Sequence, residues 1–264
     1  MKWAWKAWIF IKRDFLTDVS YKVSFALQTL DVLIGVAAFY FLSKTLGPTT
    51  TEGYPFFGFL LIGVAVNGYM TTCLVCFSQA IRGGQFTGTL KAVLSTRTAP
   101  LSLVLLSSLY PCLRAAADAA VYLIGGLLFG LSLAQVNVVA VVVVFVASLL
   151  AFSSIGIFSA AFTLAFKKGD PLLWLFGGLS WLLGGVFYPL DVLPPGLRQA
   201  ADALPITHAL EAMRSALLDG ASVEELLPQI GILTLFGLIG IPLGLASFNY
   251  ALRVARVSGT LSHY

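Results

Sequence analysis

Apolar residues run along this chain in long unbroken stretches, with no strict alternation of apolar and polar positions. Six stretches stand out, at about 24–46, 56–80, 108–131, 137–165, 172–189 and 226–250. A stretch such as VVAVVVVFVASLLAF offers apolar side chains on both alternating faces, so the pattern is not that of a membrane β-barrel strand. About 30 Å of hydrocarbon needs roughly 20 helical residues at about 1.5 Å each, and most of the six runs reach that length. The pattern predicts an all-α integral membrane protein with six transmembrane helices.

Three segments between or before the runs break the pattern. Residues 1–22 begin MKWAWKAWIFIKRDFLTDVS, which is too charged to span. At 100° per residue Trp5, Trp8, Ile9, Ile11, Phe15, Leu16 and Val19 fall on one half of a helix. Lys2, Lys6, Arg13, Asp14, Thr17 and Asp18 fall on the other, and Lys12 intrudes on the apolar half with a stem long enough to snorkel. This predicts an amphipathic helix in the membrane interface, ahead of a 23–264 transmembrane domain. Asp14 and Asp18 precede any apolar core and no A-x-A-like site follows, so the segment does not read as a cleavable signal.

The second segment is 81–100, IRGGQFTGTLKAVLSTRTAP. Gly83 and Gly84 are expected to break the second span, QFTGTLKAVL to form a short helix, and Pro100 to close it. The third is 190–225. Pro194 and Pro195 suit the start of one helix, and Pro205 restarts the chain. Thr207 is expected to cap the second helix and Gly220 to end it. Ile206, Leu210, Met213 and Leu217 make an apolar stripe, leaving His208, Glu211 and Arg214 on the other face. The segment reads as a helical hairpin before the last span.

Charge gives the chain a direction. With both termini in the cytoplasm, the cytoplasmic cations are Lys2, Lys6, Lys12, Arg13, Lys22, Arg82, Lys91, Arg97, Lys167, Lys168, Arg253 and Arg256. Only Lys44, Arg198 and Arg214 fall outside. Twelve against three follows the positive-inside rule and makes 81–100 cytoplasmic and 190–225 external. Composition agrees: 58% of residues are hydrophobic and 11% charged, against roughly 25% charged in soluble domains. Mean hydropathy is +0.91.

Within the spans Asp31, Arg114 and Asp118 are the ionisable groups, each costly at membrane depth and so a functional candidate. Arg114 and Asp118 are one turn apart and can neutralise each other. The plainer role for all three is to pin helices together or reach the interface. Cys73, Cys76 and Cys112 fall in or near spans, and a single C-x-x-C without a partner pair reads as packing, not as a metal site. There is no G-x-x-x-x-G-K-[ST], no H-E-x-x-H, no G-x-S-x-G and only two histidines. The chain therefore does not read as an enzyme or as holding ATP in a P-loop.

These features together resemble the ABC-2 type permeases, the membrane subunits of certain ATP-binding-cassette exporters. The strongest local match is FYPLDVLPPGLRQAADALPITHALEAMRSALLDG, where Pro189, Pro194, Pro205, Thr207, Glu211, Ala212 and Arg214 fall into the family pattern. Leu204 departs from it, at a position where the family usually has asparagine. In 81–100, Arg82, Gly88, Thr89, Leu90, Val93, Leu94, Thr98 and Pro100 give an approximate version of a second family pattern. Gln85 and Lys91 stand near positions where glutamate is frequent.

The resemblance implies that 190–225 is a pair of re-entrant helices closing the exit of a pathway. It also implies that Arg82, Gln85, Phe86, Thr89, Leu90, Lys91 and Leu94 couple the permease to a motor. The expected partners are two copies of a separate ABC-type ATPase, which carry ATP and magnesium, and a second copy of this permease. No cofactor on this chain and no nucleic acid are implied, and the location is the cell membrane. The cargo is an amphipathic compound, a lipid or a lipid-linked glycan. The competing reading, a gradient-driven transporter, would favour inverted repeats, and spans one to three differ from four to six in loop lengths. A membrane scaffold would leave the 81–100 helix without a purpose.

Overall fold

The computed structural model describes residues 2–47, 49–50, 53–86, 100–166 and 171–257 of the 264. In chain order the helices are α1 (Lys2–Ser20), α2 (Lys22–Leu46), α3 (Phe56–Phe86), α4 (Pro100–Leu128), α5 (Val138–Phe166), α6 (Pro171–Leu183), α7 (Pro195–Asp202), α8 (Pro205–Arg214) and α9 (Leu227–Val257). A 3₁₀ turn, Leu190–Val192, precedes α7, and a π-type turn, Ser215–Asp219, follows α8. Among the described residues the only β pairing is one bridge, Thr49 with Pro55.

Five helices, α2, α3, α4, α5 and α9, are long and apolar enough to cross a membrane. Helix α3 is the most enclosed of them. It packs against α4 and α5, and α9 runs along α5, making the most extensive helix pair in the fold. Helices α1 and α2 pack on the outside of α4. Large apolar side chains on α2, α4 and α9, such as Leu27, Ile34, Phe41, Ile124 and Leu238, stay exposed. That is the expected surface of a helix facing lipid.

The α5–α9 seam is close because glycines line it. A Cβ on Gly240 would lie 2.5 Å from Ser154 Oγ, and one on Gly237 would lie 2.8 Å from Leu150 Cβ. Spaced three apart on one face of α9, they let the two backbones approach, as small residues do in membrane bundles.

The fifth apolar run departs from expectation. Helix α6 ends at Leu183, and its 13 residues give only about 20 Å of rise. Gly184 and Gly185 end it, the latter with φ +71°, a left-handed conformation that a side chain disfavours. The Tyr188 hydroxyl donates to the Leu182 carbonyl, satisfying one of the acceptors left open at the helix end. Residues 184–189 continue as non-helical chain.

Two boundaries at the other end also differ. Gly83 and Gly84 do not break the second span, since α3 continues to Phe86. A helical glycine costs only about 1 kcal/mol against alanine, which packing and helix continuity offset. Pro100 opens α4 instead of closing a shorter helix, the first-turn position at which proline's missing N–H costs nothing. The predicted helix 85–94 keeps only Gln85 and Phe86 within α3, and Thr89, Leu90, Lys91 and Leu94 lie outside the described residues.

Candidate functional site

The hairpin between α6 and α9 is built into the end of the bundle. Pro194 and Pro205 each precede or open a short helix, α7 and α8, at positions that need no N–H. Ile206, Leu210, Met213 and Leu217 are all buried, so the stripe read from the sequence is the inward face. Thr207 is not the cap of α8. The helix begins at Pro205, and the Thr207 hydroxyl reaches back to donate to the Ala201 carbonyl at 2.7 Å. His208 Nε2 contacts the Asp202 carbonyl at 2.8 Å. Both contacts satisfy carbonyls at the end of α7 and fix the corner between the two helices. Gly220 ends the hairpin with φ +70°, its N–H donating to Ser215 O.

Arg214 is not exposed in the way Glu211 is, and reaches only the floor of the polar cleft that Glu211 also lines. It is 5% exposed. Its Nη2 donates to the carbonyls of Gly185 (2.9 Å), Phe59 (3.1 Å) and Val186 (3.2 Å), and the guanidinium lies over the Phe59 ring at 3.4 Å. Gly185 and Val186 belong to the non-helical chain after α6, whose carbonyls cannot find helical partners. Buried irregular backbone needs such donors, and the two hydrogens of Nη2 are shared among these three carbonyls. Gly63 on α3 makes the room, since a Cβ there would strike the Val186 carbonyl. The signal was present in the sequence: Arg214 is four residues after Leu210, only about 40° from the buried stripe.

On its outer side the hairpin holds a polar cleft of about 250 Å³, lined by Tyr54, Asp191, Arg198, Asp202, Glu211 and Arg214 among others. Arg198 and Asp191 pair at 2.9 Å, both about half exposed, and Glu211 is exposed. The Tyr54 hydroxyl donates to Asp219 at 2.7 Å, joining the α2–α3 loop to the hairpin. On its inner side lies an apolar cavity of about 250 Å³ between α3, α4, α5 and α8, with Met213 and Leu217 on the hairpin wall. The hairpin thus separates a polar space from an apolar one.

The intramembrane charges divide. Arg114 Nε meets Asp118 Oδ1 at 3.0 Å, one turn along α4. Its Nη1 also meets Asp18 Oδ2 at 3.3 Å, and Tyr110 donates to the same oxygen at 2.6 Å. The guanidinium lies over the Phe25 ring at 4.4 Å. Asp18 was read as part of the polar outer half of α1. The face of α1 turned to the bundle carries Ala7, Phe10, Ile11, Asp14 and Asp18, while Trp5, Trp8 and Leu16 point outward and Phe15, half-exposed, meets the Tyr110 ring of α4. An amphipathic wheel cannot show this, because a half-buried arginine on another helix, Arg114, selects the carboxylate. Asp31 is exposed on α2 and stands apart from the Arg114 pairs, within electrostatic reach of Tyr122 together with Asp118.

At the opposite end from the hairpin, Arg82 lies half-buried on the last turns of α3. The cysteines gather at mid-bundle: Cys112 Sγ lies 3.7 Å from Cys73 Sγ and 3.8 Å from Cys76 Sγ, and all three are free thiols.

The family model for ABC-2 type transporters matches residues 6–218, from α1 through the hairpin. No curated protein matches the chain. The match covers most of the chain, and its span includes α1, the hairpin with its buried helix α8, and four of the five long apolar helices. The chain belongs to the ABC-2 type transporter family and is a multi-pass membrane permease of an ABC transporter.

Proposed function

We propose that this permease forms the substrate pathway of an exporter driven by a separate ATPase, with the hairpin α7–α8 as its external closure. The observation that carries this reading is the second helix of the hairpin, α8, which is buried between the apolar cavity and the polar cleft and is held by Arg214, while α7 lies exposed outside it. A helical closure at membrane depth is tolerable because it is packed in protein. Glu211, His208 and Thr207 are then parts of the gate and its corner.

Two permease copies around a two-fold axis complete the pathway, and two ATPase subunits dock at the cytoplasmic end. Arg82, Gln85, Phe86, Thr89, Leu90, Lys91 and Leu94 form the coupling surface, both termini are cytoplasmic, and the location is the cell membrane. The cargo is amphipathic, of the size and character of a hydrophobic drug, a lipid or a lipid-linked glycan.

The test is mild-detergent purification of the tagged chain from its native host, followed by identification of what accompanies it. A stoichiometric P-loop ATPase, whose hydrolysis responds to the permease, is expected. Replacing Leu90 and Leu94 together with aspartate should then leave hydrolysis running while export stops. A clean homo-oligomer from intact membranes, with no ATPase, would instead support gradient-driven transport.

A further inference from the structure

Helices α1, α2 and α4 enclose a groove of about 350 Å³ whose walls include Phe15, Phe25, Thr29, Tyr110, Arg114 and Asp118. Its charges do not balance. One guanidinium faces two carboxylates, Asp18 and Asp118, so the set is formally one negative charge in excess. The side chain of Arg114 is 15% exposed and engaged by both, whereas that of Asp118 is 37% exposed. Only Asp118 Oδ1 is held by Arg114, so the second oxygen is free to face the groove. Lys22, at the start of α2, lines a separate open groove with Asp31, and Arg13 on α1 is paired with Asp14.

Unbalanced negative charge is expensive at membrane depth, and a cation beside it is favoured. The walls decide which kind. Three aromatic rings and aliphatic side chains offer no set of six or more oxygens, so a hard inorganic cation has too few ligands here. Aromatic faces do favour organic cations. A zwitterionic lipid headgroup would bring its phosphate against the same carboxylates, so a net positive charge fits better.

We infer that this groove binds a lipophilic organic cation, with Asp118 as counter-charge and Phe15, Phe25 and Tyr110 as aromatic walls. The exposed flank of α2 gives it access from the lipid. As the entry point for exported cargo, the site rests on the exporter reading above. As a binding site it does not.

The probe is a pair of ions of matched shape and opposite charge, tetraphenylphosphonium and tetraphenylborate. The full chain is placed in phosphatidylcholine nanodiscs and binding is followed by equilibrium dialysis, with empty nanodiscs as background. Saturable binding of about one phosphonium per chain, and none of the borate, is expected. Asp118→Asn leaves a neutral Arg114–Asp18 pair in the same shape and should weaken phosphonium binding about tenfold or more. Phe25→Leu keeps the bulk but removes a π face, and should weaken it roughly threefold to tenfold. Should Asp118→Asn fail to give monodisperse protein, the ion pair and Phe25→Leu decide the matter. Equal binding of both ions would overturn the site, and so would phosphonium binding that neither folded variant changes. Since the permease alone is measured, lost binding leaves the ATPase partnership standing, and a missing ATPase leaves the binding standing.

Discussion

Arg214 shows how one residue can make a local irregularity possible. Hydrogen bonds to charged groups are worth about 1.5–3 kcal/mol each, and those lost here would leave buried carbonyls at Gly185 and Val186 with less to bond. Arg214→Met should therefore cost about 3 kcal/mol, read as a lower midpoint of unfolding in denaturant. Arg214→Lys should recover only part, because a strongly hydrated ammonium is costlier to bury and lacks the flat face that lies over the Phe59 ring. A loss of under about 0.5 kcal/mol for the methionine variant would remove Arg214 from this role. In the sequence, Arg214 was legible as part of a family pattern and its burial was within reach of helix angles. Its acceptors were not, since Phe59 lies 155 residues away and is supplied by another helix.

Among the elements, the α5–α9 seam offers the sharpest contrast within one helix. Gly240 faces Ser154 at a distance no Cβ can occupy, whereas Gly231 on the same helix has nothing within 4 Å. Gly240→Ile should wedge the pair apart and cost about 1–3 kcal/mol by overpacking. Gly231→Ile should have little effect on thermal unfolding in detergent. Equal effects would mean that the seam yields more readily than its spacing suggests. The existence of these helices was legible, because nearly every run of about 20 apolar residues must become one. Their ends were read less well: Gly83, Gly84 and Pro100 looked like punctuation, but α3 runs through both glycines and α4 begins at Pro100. Glycine and proline bias the backbone by a few kcal/mol, and the context of neighbouring helices decides whether that bias prevails.

For the whole molecule, the number of crossings sets where the termini lie. Five long helices alone would put the two ends on opposite sides. Helix α6 supplies about 20 Å, and the chain at its end is bonded through Arg214 to Phe59, in the first turn of α3, so it reaches the hairpin side of the bundle. A crossing that is part helix and part bonded loop therefore fits the charge distribution, with twelve cations on one side and three on the other. Reporter tags fused near Lys2 and after Tyr264 should both be cytoplasmic. Tags on opposite sides would mean that α6 and its extension return to the side they left.

The sequence by itself determined the solvent of this protein, its helical class and its family resemblance. Each of these follows from local composition and spacing: a lipid-facing chain must be apolar over whole turns and must satisfy its backbone within each helix. Tertiary structure alone decided that α6 stops short, that Arg214 lies inside bonding the chain after it, and that Asp18 turns inward to share Arg114 with Asp118. A buried charge is placed by partners distant in the chain, and no pattern along one segment records which helix will supply them.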